Sequence, residues 1–184
     1  MQNKTKKRPE SASREDHHHV MMREEIKLGN LITWLNLAGG FGSILASISE
    51  EYAIAAGLIF FSIICDFFDG RAARRAGKAT AFGTEVDSLT DLVSFGIAPA
   101  IFGFMHYSTP FAIFAYLLNI SAGVFRLARY NILHKLHYFI GMPITWNAVI
   151  VLIAGLVHVP YTYWPAVYII SAVLMASPFK IRKI

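Results

Sequence analysis

Apolar residues run along this chain in six stretches separated by short polar or turn-forming breaks: Leu31 to Ile48, Tyr52 to Ala73, Thr84 to Met105, Pro110 to Tyr130, Pro143 to His158 and Tyr163 to Ala176. A helix rises about 1.5 Å per residue, so about 20 mostly apolar residues span the ~30 Å hydrocarbon core of a bilayer. The fifth and sixth stretches are short by that measure. The breaks hold chain-reversing or charged residues: Ser49-Glu50-Glu51, Ala76-Gly77-Lys78, His106 to Pro110, the basic stretch around Lys135, and His158-Val159-Pro160. No alternation of the kind a membrane barrel needs is visible, so the pattern predicts an all-α integral membrane protein with six transmembrane helices.

Composition agrees. With 55% hydrophobic and 16% charged residues and a mean hydropathy of +0.46, the chain is too apolar for a soluble domain, where charged residues approach about a quarter. Charge placement adds orientation. With six spans, all 17 Lys and Arg fall on one side: Lys4, Lys6, Lys7, Arg8, Arg14, Arg23 and Lys27 in the N-terminal region; Arg71, Arg74, Arg75 and Lys78 between the second and third spans; Arg126, Arg129 and Lys135 between the fourth and fifth; and Lys180, Arg182 and Lys183 at the C-terminus. The positive-inside rule then places both termini in the cytoplasm and the protein in the cell membrane. The net charge of +5 follows from these topology signals, and no nucleic-acid partner is expected.

Residues 1–19 are polar and charged, and read as a disordered cytoplasmic tail. Residues 20–29 mix apolar and basic positions and suit a juxtamembrane amphipathic segment on anionic lipid. Residues 30–184 form one six-helix domain. No cleavable signal is expected, because the basic region is not followed directly by a short apolar core and a small-residue cleavage site. His17-His18-His19 reads as a tail tract rather than a metal site. Cys65, the single cysteine, reads as a small packing residue, and no intrachain disulfide can form.

Against this apolar background stand four aspartates, Asp66, Asp69, Asp87 and Asp91. An ionised Asp within a bilayer costs roughly 2.5–3.5 kcal/mol on insertion scales, so the group implies a function that offsets the cost. Asp66 and Asp69 share a face at the cytoplasmic half of the second helix; Asp87 and Asp91, four apart, share one on the third. Two antiparallel neighbours can bring these faces to one cavity, where the carboxylates would repel one another without cations. Oxygen-only ligands favour hard ions, Mg2+ or Mn2+, with Ca2+ as a structural mimic. Two such ions can bridge a pyrophosphate, which points to phosphoryl-type transfer. Gly70 and Gly83 admit a phosphate or nucleotide close to the backbone, and Arg74 can pair with phosphate or with an aspartate. The same glycines also suit close helix packing, and the arginines serve equally as topology signals.

The run Asp66-x2-Asp69-Gly70-x2-Ala73-Arg74-x8-Gly83-x3-Asp87-x3-Asp91 resembles the signature of the CDP-alcohol phosphotransferase family at all eight defined positions. Beyond it, Ser88 to Pro99, Arg126 to Asn131, Phe139 to Ile144 and Leu174 to Ser177 are similar to the branch of that family that uses serine. Thr33 and Asn36 resemble its Thr-x2-Asn in the first helix. The resemblance covers the chain from about residue 30 to its end. One departure, Thr145-Trp146-Asn147, stands where many relatives carry Pro and small residues, and bears on how the fifth helix packs.

The resemblance implies six membrane helices, a homodimer, and transfer of the phosphatidyl group of CDP-diacylglycerol to the hydroxyl of L-serine with release of CMP. It further implies that Asp66, Asp69 and Asp87 hold two divalent cations, with Asp91 both close to a metal and acting as general base. Thr33, Asn36, Asp69, Gly70, Ala73, Arg74 and Gly83 are the implied nucleotide and donor contacts. No Asp or Glu follows Asp91, so Arg126 and Arg129 are candidates for the serine carboxylate; donor phosphate and topology are the alternative uses. Phe67, Phe68, Phe95 and Phe125 either line a lateral opening for the donor's acyl chains or pack and face lipid. Gly39, Gly40 and Gly42 read as close helix contact, and Tyr161, Tyr163 and Trp164 as an interfacial belt. Other acceptors, glycerol phosphate or inositol phosphate, and an archaeal ether-lipid donor use the same chemistry. A cation transporter is the remote alternative, without the inverted repeats or broken helices of such proteins.

Overall fold

The first helix, α1 (Leu28–Ile48), is pressed between two neighbours because two adjacent side chains are missing from it. The computed structural model describes residues 28–76, 81–133, 138–178 and 180–182. A Cβ on Gly39 would meet Ser62 and Phe61 of α2 (Tyr52–Ala76), and one on Gly40 would come within 2.7 Å of the Ser94 Cα on α3 (81–106). The hairpin between α1 and α2 closes at Glu50, in the left-handed region with φ 62°, while Glu51 N–H bonds back to Ala46 O at 2.8 Å. The same closure follows α5 (Ile144–Leu156) at His158, φ 55°.

α3 runs without a break through three parts: an α-helix over Ala81–Asp91, a π-helical segment over Leu92–Ile97 and an α-helix over Ala98–His106. Pro99 accounts for the irregularity. It has no N–H for the carbonyl four residues earlier, Phe95, and its ring crowds that position. The side chain of Asn147 supplies the missing donor to Phe95 O at 2.7 Å.

α4 (Pro110–Leu133) starts on a Thr109 cap, whose Oγ1 accepts from Ala112 N at 3.2 Å. α5 (Ile144–Leu156) is bounded by Pro143, and a 3-10 turn over Tyr161–Tyr163 leads into α6 (Trp164–Ala176). Among the described residues, four helices are long and apolar enough to cross a membrane by length and composition; α5 and the run Tyr161–Ala176 are apolar but shorter. The described residues are helical apart from turns and one short pairing that the apolar pattern did not announce: β1 (Tyr138–Ile140) lies antiparallel to β2 (Lys180–Arg182), with Phe139 opposite Ile181.

The core lies between α3, α5 and α6, where Phe95, Ile144, Val151, Trp164, Tyr168 and Met175 are buried. Trp164 was expected in an interfacial belt. It is 1% exposed instead, stacked on Phe102 at 5.8 Å with its indole N–H donating to Val159 O, while Tyr161 and Tyr163 remain exposed. Outward faces carry Phe60, Phe67, Phe111, Phe114 and Leu117, the surface expected of a protein dissolved in lipid. The tail 1–19, the tract His17–His19, residues 20–27, Lys78, Lys135 and Lys183 lie outside the described residues.

Candidate active site

Asp66 on α2 and Asp87 and Asp91 on α3 meet at one point. One carboxylate oxygen from each lies within 4.8 Å of the other two; Asp91 is buried and the others are half-buried. Helical spacing explains the pair on α3, since residues four apart share a face. The short connection to α2 brings in the third. Asp69, expected in the same group, faces α1 and accepts a hydrogen bond from Thr33 Oγ1. Asp69 stays within electrostatic reach of Asp87, so it borders the three converging carboxylates while Thr33 holds one of its oxygens.

The surrounding helices hold this group in place. Asn36 Nδ2 on α1 donates to Asp91 Oδ1 at 3.3 Å, and the backbone carbonyl of Asn36 accepts from Ser62 Oγ at 3.0 Å and Ser94 Oγ at 3.1 Å. α1 is therefore tied to both acidic helices at the level of Asp91. Asn131 on α4 donates to Glu85 Oε2 and accepts from Ser88 Oγ, both at 3.1 Å, one turn from Asp87 and Asp91. α5 reaches both acidic helices, with Thr145 Oγ1 donating to Asp66 Oδ2 at 3.0 Å and Asn147 to Phe95 O.

The two candidate arginines separate. Arg126 is buried over the Tyr130 ring, within electrostatic reach of Asp91 and Asp66, and its Nε has no hydrogen-bond partner among the described residues. Arg129 instead donates to the carbonyls of Met175, Ala176 and Ser177 at 3.2–3.3 Å, binding the end of α6. Gly70 and Gly83 are half-buried on α2 and α3. Ala73 and Arg74 continue the α2 backbone, and their side chains lie outside the described residues. Of the four phenylalanines considered for a lateral opening, Phe95 is fully buried and Phe67, Phe68 and Phe125 are exposed. Cys65 is buried, as a packing residue should be.

Thr145, Asn147, Ser62 and Ser94 escaped the sequence reading of the site. The available signal was a cluster of polar side chains within otherwise apolar helices, where each must find a partner. Chemically, three converging oxygen ligands suit a hard divalent cation: opposite oxygens around such an ion stand about 4–5 Å apart, twice the metal–oxygen distance. The mutual repulsion of the carboxylates gives such an ion its electrostatic reason to bind.

Residues 26–177 match the family described as CDP-alcohol phosphatidyltransferase, and the chain belongs to that family. It is a transferase of phospholipid biosynthesis. Among its relatives, the CDP-diacylglycerol–serine O-phosphatidyltransferase of Methanocaldococcus jannaschii is 34% identical over 164 residues, 88% of this chain and 77% of that protein. The enzyme of the same name from Bacillus subtilis is 35% identical over 134 residues, 71% of this chain and 76% of its own. The archaetidylserine synthase of Methanothermobacter thermautotrophicus is 37% identical over 133 residues, 67% of this chain and 55% of its own.

Proposed function

We propose that this protein is a phosphatidylserine synthase: it transfers the phosphatidyl group of CDP-diacylglycerol to the hydroxyl of L-serine and releases CMP. The observation that carries the chemistry is the convergence of Asp66, Asp87 and Asp91 beside buried Arg126. Choice of serine is supported by the names of the relatives from M. jannaschii and B. subtilis. Asp66, Asp87 and Asp91 hold Mg2+ or Mn2+, two ions in the working enzyme, with Asp69 joining them or binding the donor beside Thr33; Ca2+ occupies the site without turnover. When bound, these cations supply neutralisation of the pyrophosphate charge.

The residues then divide the work. Asp91, its Oδ1 held by Asn36, accepts the seryl proton as the serine oxygen bonds to the lipid-side phosphorus and the bond from that phosphorus to the CMP oxygen breaks. The unpartnered Nε of Arg126 supports its role as the cation for the serine carboxylate. Gly70, Ala73, Arg74 and Gly83, with Thr33 and Asn36, form the nucleotide contact. The chain crosses the cell membrane six times as a homodimer, with both termini and the active site on the cytoplasmic face. α5 and α6 complete the bundle as spans shortened by Pro143 and Pro160 at their starts.

The archaetidylserine synthase relative favours one second reading, in which serine is still the acceptor and the donor carries ether-linked chains. Purified protein incubated with Mn2+, either CDP-lipid and each candidate alcohol, with CMP followed over time, tests both. CMP release with serine is the expected result. Release with glycerol phosphate or inositol phosphate, and none with serine above the water blank, overturns the proposal.

A further inference from the structure

On the reading that Asp66, Asp87 and Asp91 hold a divalent cation, we propose that Thr145 is a positioning residue for that site, its hydroxyl setting the orientation of the Asp66 carboxylate from a helix that carries no acid of its own. The contact, Thr145 Oγ1 to Asp66 Oδ2 at 3.0 Å, joins residues 79 apart in the chain. Within a helix a threonine hydroxyl usually bonds back to the carbonyl four residues earlier. At Thr145 that residue is Gly141, outside the helix with φ +78°, so the hydroxyl is available for a distant partner.

The start of α5 is anchored on both sides of Thr145. Ile144 fills a notch left by two glycines: a Cβ on Gly123 would stand 2.9 Å from Ile144 Cδ1, and one on Gly96 3.6 Å from it. Asn147 is fixed by its bonds to Phe95 O, Asn119 and Ser171. Just before the helix, Met142 N–H donates to Leu174 O at 3.2 Å, and Gly141 leaves no room for a side chain beside Met175 O and the Arg129 guanidinium. Thr145 thus presents its hydroxyl from a rigid mount. Loss of this bond removes one restraint that keeps the Asp66 carboxylate turned toward Asp87 and Asp91. Hydrogen bonds to metal-ligating carboxylates are what hold such ligands ready.

The test uses the full chain in detergent micelles, titrated with Mn2+, with free Mn2+ read by electron paramagnetic resonance. Thr145→Val keeps the branched shape and removes the hydroxyl; Thr145→Ser keeps the hydroxyl; Thr145→Ala repeats the deletion with a smaller side chain. Val and Ala are expected to weaken Mn2+ binding about 10–100-fold, with Ser within about twofold of wild type. The Mn2+ concentration that half-activates CMP release should move in parallel. Wild-type Mn2+ affinity in the Val variant, or equal losses in Ser and Val, overturns the role of Thr145 and leaves the metal reading standing. Failure of the wild-type protein to bind Mn2+ overturns both.

Discussion

Asn147→Leu keeps the number and branching of the side-chain heavy atoms and removes every polar atom from a position with no solvent exposure. Three partners lose a bond: Phe95 O at 2.7 Å, Ser171 Oγ at 2.7 Å and Asn119 Nδ2 at 3.0 Å. Two of them have alternatives. Asn119 Nδ2 keeps Tyr168 O at 3.0 Å, and a serine hydroxyl within a helix can turn to the carbonyl four residues earlier. Phe95 O has the poorest alternative, because Pro99, four residues on, has no N–H to offer. A buried carbonyl without a donor costs about 1–3 kcal/mol, and interhelical hydrogen bonds in membrane proteins average about 0.6 kcal/mol with a ceiling near 1.7. Asn147→Leu is therefore expected to destabilise the protein by about 2 kcal/mol, mostly through that one carbonyl. Pro99→Ala restores a backbone N–H four residues after Phe95, so in that background the cost of Asn147→Leu should fall by about 1 kcal/mol. Equilibrium unfolding of the wild type, both single variants and the double variant in mixed micelles measures the difference. Additivity within about 0.5 kcal/mol would refute the claim that Asn147 and Pro99 act on the same carbonyl.

Asp91→Asn should lower CMP release about 10²–10⁴-fold while CDP-diacylglycerol still competes for binding near its wild-type concentration; loss of donor binding would make Asp91 chiefly a metal ligand. Arg126→Met should raise the KM for serine about 10–100-fold, the loss of one charge-assisted contact, with the KM for the lipid donor unchanged. Arg129→Met, which cuts the bonds to the end of α6, should lower the unfolding temperature and shift neither KM; a selective rise in the serine KM there would reverse the assignment of the two arginines.

Much of the molecule was legible from local pattern alone. Length and apolarity of each stretch fix which segments can be helices in lipid, because every backbone polar group there must bond within its own segment. Helical periodicity likewise placed Asp87 and Asp91 on one face, and the preference of small residues for close contact marked Gly39 and Gly40 as contact positions, with α2 and α3 as the partners the structure supplies. Trp164 shows where pattern misleads. An aromatic residue near a span's end suits the interface, and only the packing of Phe102 and His106 against it made burial the better choice. Neither the irregularity before Pro99 in α3 nor the side chain that bonds the carbonyl there was legible in the apolar pattern.

The chain's own order of residues determined the class of fold, the acidic helices and the family signature, since all three rest on spacing within a few turns. Which aspartate bonds Thr33, which arginine stays beside the carboxylates, and that Thr145 and Asn147 brace both acidic helices were decided only by the tertiary structure. Each of those outcomes is a competition between partners dozens of residues apart, and hydrogen-bond geometry in a water-poor interior, rather than any local preference, selects the winner.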